Sequence, residues 1–277
     1  MSTIGESRSA FRRLHESGCF VIPNPWDAGS ARALESLGFK ALATTSAGAA
    51  FSLAAADGAV SRDAMLAHVR AIVEASNLPV NADYEGGYAH DPEKVAENVR
   101  LCVGTGVAGL SIEDNSRDPA RPLYELAFAV ERIRAARAAI DQSGGEVLLT
   151  ARAECFLVGR PELDETIRRL VAYSEAGADC LYAPGLHTRE QVAAVVKAVA
   201  PKPVNFLALG TVALTVAELA ELGVRRISVG SALARVAWGA FLRAARGIAE
   251  EGRFDVLAEG EPFAEMQKLF AVPPREH

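Results

Sequence analysis

A repeated order of helix, glycine and strand constrains the fold of this chain more than any other feature. Stretches with helical spacing end at a glycine, and an apolar run typical of a buried strand follows at once. The glycines at these junctions are Gly38, Gly106, Gly177 and Gly223. Helices and strands that alternate in this way indicate an α/β protein with a parallel sheet.

Extended over the whole chain, the pattern predicts eight strands that alternate with eight helices. This count favours a (β/α)8 TIM-type barrel, whose usual length of roughly 250 residues is close to the 277 residues here. A doubly wound open sheet is the alternative, but no Gly-x-Gly-x-x-Gly motif follows the first strand. The predicted strands are 19–23, 40–44, 79–83, 107–112, 146–151, 179–183, 203–207 and 225–229, and the predicted helices are 28–37, 62–76, 92–104, 125–142, 162–176, 188–199, 214–222 and 232–250.

Composition predicts one domain, residues 1–277, because 50 % of the residues are hydrophobic and only 6 % are aromatic, enough for a large aliphatic core. Residues 254–277 follow the eighth helix as a helical extension without a strand of its own. We expect this extension to pack on the outside of the barrel or on a neighbouring subunit. Its apolar stripe consists of Val256, Leu257, Phe263, Met266, Leu269 and Phe270.

Charge and cysteine content exclude several classes of function. The net charge of −6 and the pI near 5.5 argue against a nucleic-acid partner, although a small anionic substrate remains possible at a site with its own cations. Four scattered cysteines predict neither a zinc site nor a disulfide framework. Residues 1–13 contain no apolar signal segment, and no run of about 18 apolar residues occurs. We therefore expect a cytoplasmic protein without a membrane partner.

Two pairs of acidic residues follow apolar strands and are the first candidates for chemistry. Asp83 and Glu85 leave the third strand, and Glu113 and Asp114 close the fourth. An isolated Asp-x-Glu is more often a polar turn, but the second acidic strand end favours a site. Magnesium takes oxygen ligands and keeps several waters, so one direct carboxylate and others acting through water suffice. The pattern predicts Mg²⁺ or Mn²⁺ at this position.

The predicted barrel directs attention to the carboxyl ends of its strands, where catalytic groups lie in this architecture. Thr45, Ser46 and Ala47 precede Gly48 on a loop whose backbone N–H groups can meet a carboxylate or an oxyanion. Arg152 suits a bidentate carboxylate clamp or an ion pair with neighbouring acids. Further candidates at the mouth are Asn24, Asp27, Thr44, Asp57, Asp114, Glu154, Pro184, Asn205, Gly230 and Ser231.

In their order these motifs resemble those of the isocitrate lyase/phosphoenolpyruvate mutase superfamily, from about residue 19 to residue 250. The resemblance implies a magnesium-dependent barrel that stabilises a pyruvate-type enolate while a C–C or C–P bond breaks. It implies Asp83 as the direct metal ligand. Residues that would hold metal-bound water or contact the substrate are Asp57, Glu85, Glu113, Thr45, Ser46, Ala47 and Arg152, with Asn205 added as a substrate-binding candidate.

The segment after the fourth strand departs from the family. Lyases of this superfamily carry a Lys-(Lys/Arg)-Cys-Gly-His loop there, whereas residues 115–122 contain neither cysteine nor histidine. The Pro-Lys-rich gate loop of the phosphonopyruvate branch is also absent, Glu154 stands where aspartate is usual, and Ala89 replaces a glycine. Arg117 and Arg121 lie on this segment and are either a cationic lid over the mouth or solvated surface charges.

These observations favour a lyase or decarboxylase acting on a small α-oxo or α-hydroxy dicarboxylate, such as oxaloacetate or a substituted malate. Decarboxylation demands least of the altered loop, because carbon dioxide leaves without needing a proton. Carbon–phosphorus chemistry on phosphonopyruvate is one alternative, and a catalytically silent metabolite-binding protein is another. The resemblance further implies a homo-oligomer, most often a tetramer, in which the C-terminal helical segment is exchanged between subunits.

Overall fold

The computed structural model describes residues 3–210 and 214–271, and the predicted extension therefore lies partly outside the described residues, at 272–277. All eight predicted strands are present and run parallel in one sheet. They are β1 Phe20–Ile22, β2 Leu42–Ala43, β3 Val80–Asp83, β4 Gly109–Glu113, β5 Leu148–Arg152, β6 Cys180–Tyr182, β7 Val204–Leu207 and β8 Arg226–Ser228. The (β/α)8 prediction is confirmed, with most strands shorter at their ends than the apolar runs suggested.

Closure of the barrel depends on short contacts between β1 and β2. The sheet order runs from β1 through β8 down to β2, and the amide of Ala43 donates to the carbonyl of Pro23 at 3.0 Å. Asn24, just after β1, donates to the Thr44 carbonyl at 2.9 Å and accepts from the amides of Val229 and Gly230 at 2.8 and 2.9 Å. One buried amide side chain thus joins the ends of three strands at the seam.

The helices form the outer layer around this sheet. Asp27 caps the N-terminus of α2 by accepting from the Ser30 amide at 2.6 Å. The helices are α1 Ile4–Glu16, α2 Ala28–Ser36, α3 Ser46–Ser52, α4 Arg62–Ala75, α5 Pro92–Val103, α6 Leu126–Gln142, α7 Leu163–Glu175, α8 Arg189–Val199, α9 Val216–Glu221, α10 Ala232–Glu251 and α11 Phe263–Phe270, with a 3₁₀ turn at Asp255–Glu259.

Two helices were missed by the sequence analysis. Helix α1 begins with a capping box between Thr3 and Glu6 and covers the amino-terminal end of the barrel with Phe11, which is fully buried. Helix α3 was taken for a loop, but Thr45 caps it by accepting from the Gly48 amide at 3.2 Å. The sequence did not reveal these helices because the apolar segments of both are short. Helix α1, for example, buries little beyond Ser7 and Phe11.

The core is mainly aliphatic, as the composition predicted. Fully buried side chains such as Leu42, Leu110, Ile112 and Leu149 belong to one cluster between the sheet and the helices. A smaller cluster under α1 contains Phe11, Ile22, Ala41, Ala43, Ala108 and Leu148. Over residues 3–210 and 214–271, no helix combines the length and the apolar character that crossing a bilayer requires.

Replacing Phe11 with alanine should lower the free energy of unfolding by about 3–5 kcal/mol, because a fully buried aromatic ring at the bottom of the barrel leaves a cavity. Urea denaturation measures this change. Leu101→Ala serves as the control, since Leu101 is 46 % exposed on α5 and its loss should cost far less. Equal effects of the two substitutions would show that α1 is not an integral part of the barrel.

Candidate active site

The carboxyl ends of the strands surround a cavity of about 230 Å³ that is open to solvent. Asp83, Glu113 and Arg152 are the last residues of β3, β4 and β5, three neighbouring strands. Parallel pairing sets Glu113 beside Arg152, so charges that are far apart in the sequence meet at one edge of the sheet.

Arg152 is the centre of this charge cluster. Its Nη1 lies 2.7 Å from Oδ1 of Asp83, and its Nη2 lies 3.2 Å from Oε2 of Glu113. Glu154 accepts from Nε at 3.0 Å, and Nη2 lies 2.9 Å from the same oxygen. The Tyr182 ring lies 5.1 Å from the guanidinium carbon. The ion pairs with neighbouring acids, one of the two alternatives for Arg152, are therefore present, and the carboxylate clamp stays a prediction.

Asp83 is held from the opposite side by the start of α3. The backbone amide and the hydroxyl of Ser46 each donate to Oδ2 of Asp83 at 2.9 Å, and Thr44 accepts from the Asp83 amide at 2.8 Å. Thr45 and Ala47 line the same cavity. The segment identified by its hydroxyl and small residues therefore fixes the orientation of the Asp83 carboxylate.

Glu85 lies on a turn with an unusual backbone. Both Glu85 and Tyr88 have a positive φ, 47° and 55°, which non-glycine residues rarely adopt. The Tyr88 hydroxyl donates to Oε1 of Glu85 at 2.9 Å, and Arg117 contacts Oε2 at the same distance. Buried Arg132 on α6 donates to the carbonyls of Gly86, Ala89 and His90. The strained turn is held from below, which is typical of a functional site.

The remaining predicted residues take different positions. Asp57 is exposed at the rim of the cavity, and Asn205 is buried in its floor. Asp114 does not belong to the mouth, contrary to the sequence analysis. Its carboxylate accepts from the Tyr173 hydroxyl at 2.6 Å and pairs with Arg169 at 3.1 Å, on the outer side of the sheet. Successive strand residues face opposite sides, so only Glu113 of this pair can point inward.

Burial dominates the electrostatics of the cluster. It raises the pKa of Glu113 to about 8, and it also raises the pKa values of Glu85 and Glu154, although Arg152 and Arg117 oppose these shifts. Burial alone would lower the pKa of Arg152, but the surrounding carboxylates Glu154, Glu113 and Asp83 raise it well above its ordinary value. Arg152 therefore stays charged. Its positive charge and that of Arg117 do not offset the effect of burial on the pKa values of the carboxyl groups.

The donor set fits a hard divalent cation. Four carboxyl groups of the mouth lie within ion-pairing distance of two guanidinium groups, so the acidic groups outnumber the basic ones. All are oxygen donors of the type that Mg²⁺ and Mn²⁺ prefer. In the described ranges, no three Asp, Glu, His or Cys side chains converge as direct ligands. The resemblance implies that a cation here would bind Asp83 directly and reach Glu85 and Glu113 through water, and this ligand set stays a prediction.

Several residues that line the cavity escaped the sequence analysis. Tyr182 and Ser228 line it at the ends of β6 and β8, and Ser111 lines it from within β4. Arg226, the first residue of β8, lies at its floor. Each comes from a run whose apolar neighbours indicated only a buried strand. The signal that was available is the alternation of polar and apolar residues along β7 and β8, as in Asn205 beside Phe206 and Arg226 beside Ile227.

Comparison with known proteins agrees with this geometry. The structure matches that of a candidate lyase/mutase from Burkholderia cenocepacia J2315 with a TM-score of 0.95 and 49 % identity, covering 98 % of each chain. A 2,3-dimethylmalate lyase, described as a PEP mutase/isocitrate lyase superfamily member, matches with a TM-score of 0.85 and 29 % identity over 97 % of this chain and 95 % of that chain.

An oxaloacetate acetylhydrolase, solved with its product oxalate, matches with a TM-score of 0.85 and 27 % identity over 96 % of this chain and 94 % of that chain. The sequence profile described as phosphoenolpyruvate phosphomutase matches residues 11–249, nearly the whole barrel. The resemblance found in the motifs is confirmed: the chain belongs to the phosphoenolpyruvate phosphomutase family of the isocitrate lyase/PEP mutase superfamily.

Proposed function

We propose that this protein is a magnesium-dependent lyase or decarboxylase that cleaves a C–C bond in a small α-oxo or α-hydroxy dicarboxylate. The observation that carries the proposal is the cluster in which Arg152 holds Asp83 and Glu113 beside the Ser46 amide. This arrangement offers both a hard-cation site and hydrogen-bond donors to a compact acid. The cavity of about 230 Å³ suits a substrate of this size.

For oxaloacetate, the bond between C3 and C4 breaks and carbon dioxide leaves. The electron pair of that bond becomes the double bond between C2 and C3 while the carbonyl pair of C2 moves to its oxygen, which gives the enolate of pyruvate. C3 then takes up a proton. A bound divalent cation would supply Lewis acidity toward the oxo group and the carboxylate beside it. For a substituted malate, the base-assisted cleavage between C2 and C3 gives an oxo acid and an enolate. C3 of this enolate also has to take up a proton.

The chain's own residues orient the reacting groups. Ser46 fixes the Asp83 carboxylate through two hydrogen bonds of 2.9 Å, and Arg152 holds its other oxygen. Asp83 would hold the cation, and Arg152, whose Nη1 lies 2.7 Å from Asp83 in the structure, would bind a carboxylate of the substrate. Thr45, Ala47 and Asn205 line the volume that the substrate would occupy.

Proton delivery separates this chain from the lyases with a Cys-Gly-His loop. Among the described residues that line the cavity there is neither cysteine nor histidine. Decarboxylation tolerates this composition, because water can protonate the enolate after carbon dioxide has left. The dimethylmalate lyase and the oxaloacetate acetylhydrolase to which the chain is similar act on dicarboxylates, which supports the same substrate class.

A substrate panel tests the proposal. Chelator-treated protein should be inactive and should regain turnover of oxaloacetate or a substituted malate with Mg²⁺ or Mn²⁺. Asp83→Ala should lower turnover by at least about a hundredfold, because the direct ligand is lost. Asp57→Ala is the companion variant, expected to cost less because Asp57 is exposed at the rim. Product formation from each acid is followed by NMR.

Three outcomes of the panel would contradict the proposal. Full turnover after chelation would remove the metal from the mechanism. Turnover of phosphonopyruvate alone would assign the chain to carbon–phosphorus chemistry, and binding of acids without any turnover would indicate a metabolite-binding protein.

The loop after β4 gives Arg117 a role that the sequence left open. Arg117 reaches back to the mouth, where its Nη2 lies 2.9 Å from Oε2 of Glu85 and 3.4 Å from Oε1 of Glu113. Its own φ is 60°, a strained value for a non-glycine residue. Arg121, by contrast, has a side chain that is 85 % exposed and pairs with Asp118. Of the two arginines, Arg117 contacts the mouth and Arg121 remains a surface charge.

Arg117→Ala should therefore raise the affinity of the chelator-treated protein for Mn²⁺, because the guanidinium occupies oxygens that would accept from metal-bound water. A partly exposed ion pair is worth up to about 1 kcal/mol, so we expect a gain of about fivefold. Isothermal titration calorimetry measures the affinity, and Arg121→Ala is the matched control on the same loop. Weaker Mn²⁺ binding by Arg117→Ala would show that Arg117 supports the cation site instead of competing for it.

The surface of α10 supports the proposal of a homo-oligomer, with a tetramer as the expected form. Of its 20 residues only Ala234 and Gly247 are buried, while Val236 is 70 % and Phe241 58 % exposed. The following α11 packs on α2 of its own chain, where the Phe270 ring approaches Gly29. An exposed apolar helix of this length is typical of a subunit interface. We propose that a second copy covers α10. The packing of α11 on α2 of its own chain supports the alternative in which the C-terminal segment lies on the outside of its own barrel, and exchange of this segment between subunits stays a prediction.

Light scattering at micromolar concentration should give the mass of a tetramer. Phe241→Asp should shift the protein toward smaller species, because it places a charge in the apolar contact. Leu101→Asp, on the exposed side of α5, should leave the mass unchanged. A wild-type monomer under these conditions would refute the oligomer.

A further inference from the structure

A buried cation lies under the mouth of the barrel. Arg226 on β8 is only 3 % exposed and points into the barrel interior. Its Nε donates to Oδ1 of Asn205 at 2.8 Å and its Nη2 donates to Oγ1 of Thr150 at 3.1 Å. Its Nη1 lies 3.4 Å from Oδ1 of Asn81. These partners are all neutral side chains.

The remaining partner of Arg226 is neutral as well. Nη1 lies 3.4 Å from Nε2 of His15, whose Nδ1 lies 2.8 Å from the Phe11 carbonyl. Burial, with Arg226 nearby, lowers the pKa of His15 to about 3, so the imidazole carries no charge at neutral pH. Within residues 3–210 and 214–271, Arg226 forms no ion pair with any Asp or Glu.

The position of these partners places Arg226 directly below the reaction site. Thr150 precedes Arg152 by two residues on β5, and Asn81 precedes Asp83 by two on β3. Residues two apart on a strand face the same side and lie about 6.6 Å apart along it. The guanidinium of Arg226 therefore belongs to the next layer down, and it lines the same cavity as Asp83 and Arg152.

The buried guanidinium of Arg226 has no counter-ion among the described residues, which favours binding of an anion at this position. Burying a charged group is costly unless it is paired, and interiors of such barrels are normally filled by Val, Ile and Leu. Here the floor is polar instead, with Asn81, Ser111, Asn205 and Ser228 around Arg226. The positive charge, the neutral polar side chains that accept its hydrogen bonds and the opening to the cavity together fit an anion-binding site.

We infer that Arg226, with Asn205 and Ser228, forms a second carboxylate subsite at the floor of the cavity. The inference rests on the proposed function and deepens it, because it selects short dicarboxylates over monocarboxylates. One carboxylate lies at the upper layer near Ser46 and Arg152, and the other reaches down to Arg226. Two layers of a strand are separated by a distance that a short dicarboxylate spans.

Anion binding by the metal-free protein tests this subsite without relying on turnover. Oxalate, malonate and succinate serve as dianionic probes and pyruvate as the monoanionic probe, with isothermal titration calorimetry as the readout. Wild type should bind at least one dianion more tightly than pyruvate. Arg226→Gln, which keeps a polar side chain without the charge, should weaken that dianion by about tenfold and pyruvate by much less. Arg226→Lys should retain part of the preference.

A purely structural role for Arg226 predicts a different pattern. Loss of thermal stability with equal weakening of dianions and pyruvate would overturn the subsite, as would a wild type without any preference for dianions. Because Arg226→Gln risks misfolding, Arg226→Lys provides the second variant. If Arg226→Lys has a native melting curve but loses the preference for dianions completely, although it retains the charge, this result would also count against the inference. Absence of turnover of both oxaloacetate and the substituted malates, with an intact dianion preference, would refute the proposed function but leave the subsite standing.

Discussion

The ion pairs of Arg152 are the interaction on which the rest of the mouth depends. One guanidinium, with its side chain 12 % exposed, holds carboxylates from β3, from β4 and from the segment that follows its own strand. Removing one partner of a buried ion pair typically costs about 3–5 kcal/mol, because the remaining charge is left uncompensated. Such a cluster is a weak source of stability but a precise way to place charges. It keeps Asp83 and Glu113 in fixed positions before any ligand arrives.

The surroundings of the cluster follow from this need for fixed charges. Ser46 at the start of α3 and Thr44 at the end of β2 hold Asp83, and Arg132 supports the turn that carries Glu85. In the loop after β4, Arg117 places a second cation between Glu85 and Glu113. The mouth thus combines an excess of carboxylates with two cations that belong to the chain.

Much of the fold could be predicted from the sequence because helix and strand periods are local properties. The glycines that follow helices and the apolar runs after them located all eight strands, and the acids at strand ends located Asp83 and Glu113. The position of Asp114 was predicted wrongly because successive residues of a strand face opposite sides of the sheet. The end of the strand was uncertain by one residue, which is enough to reverse the direction of a side chain. Helix α1 was missed because only Ser7 and Phe11 are buried in it.

Other features depend on contacts between distant parts of the chain, which a single sequence does not reveal. Arg226 meets Asn81, Thr150 and His15 over separations of 145, 76 and 211 residues, so its isolation from carboxylates appears only in three dimensions. The same holds for Arg117, which a sequence shows only as one of two arginines beside prolines. Its backward direction depends on a positive φ of 60°.

The central claim is that the carboxylate cluster around Arg152 receives a divalent cation through Asp83. A crystal structure of the protein with Mn²⁺ and oxalate, recorded with anomalous scattering, tests it most directly. The account predicts an anomalous peak about 2.1 Å from an oxygen of Asp83, with Glu85 and Glu113 reached through water. A peak at another position, or no peak while both Asp83 oxygens stay bound to Arg152 and Ser46, would contradict the account.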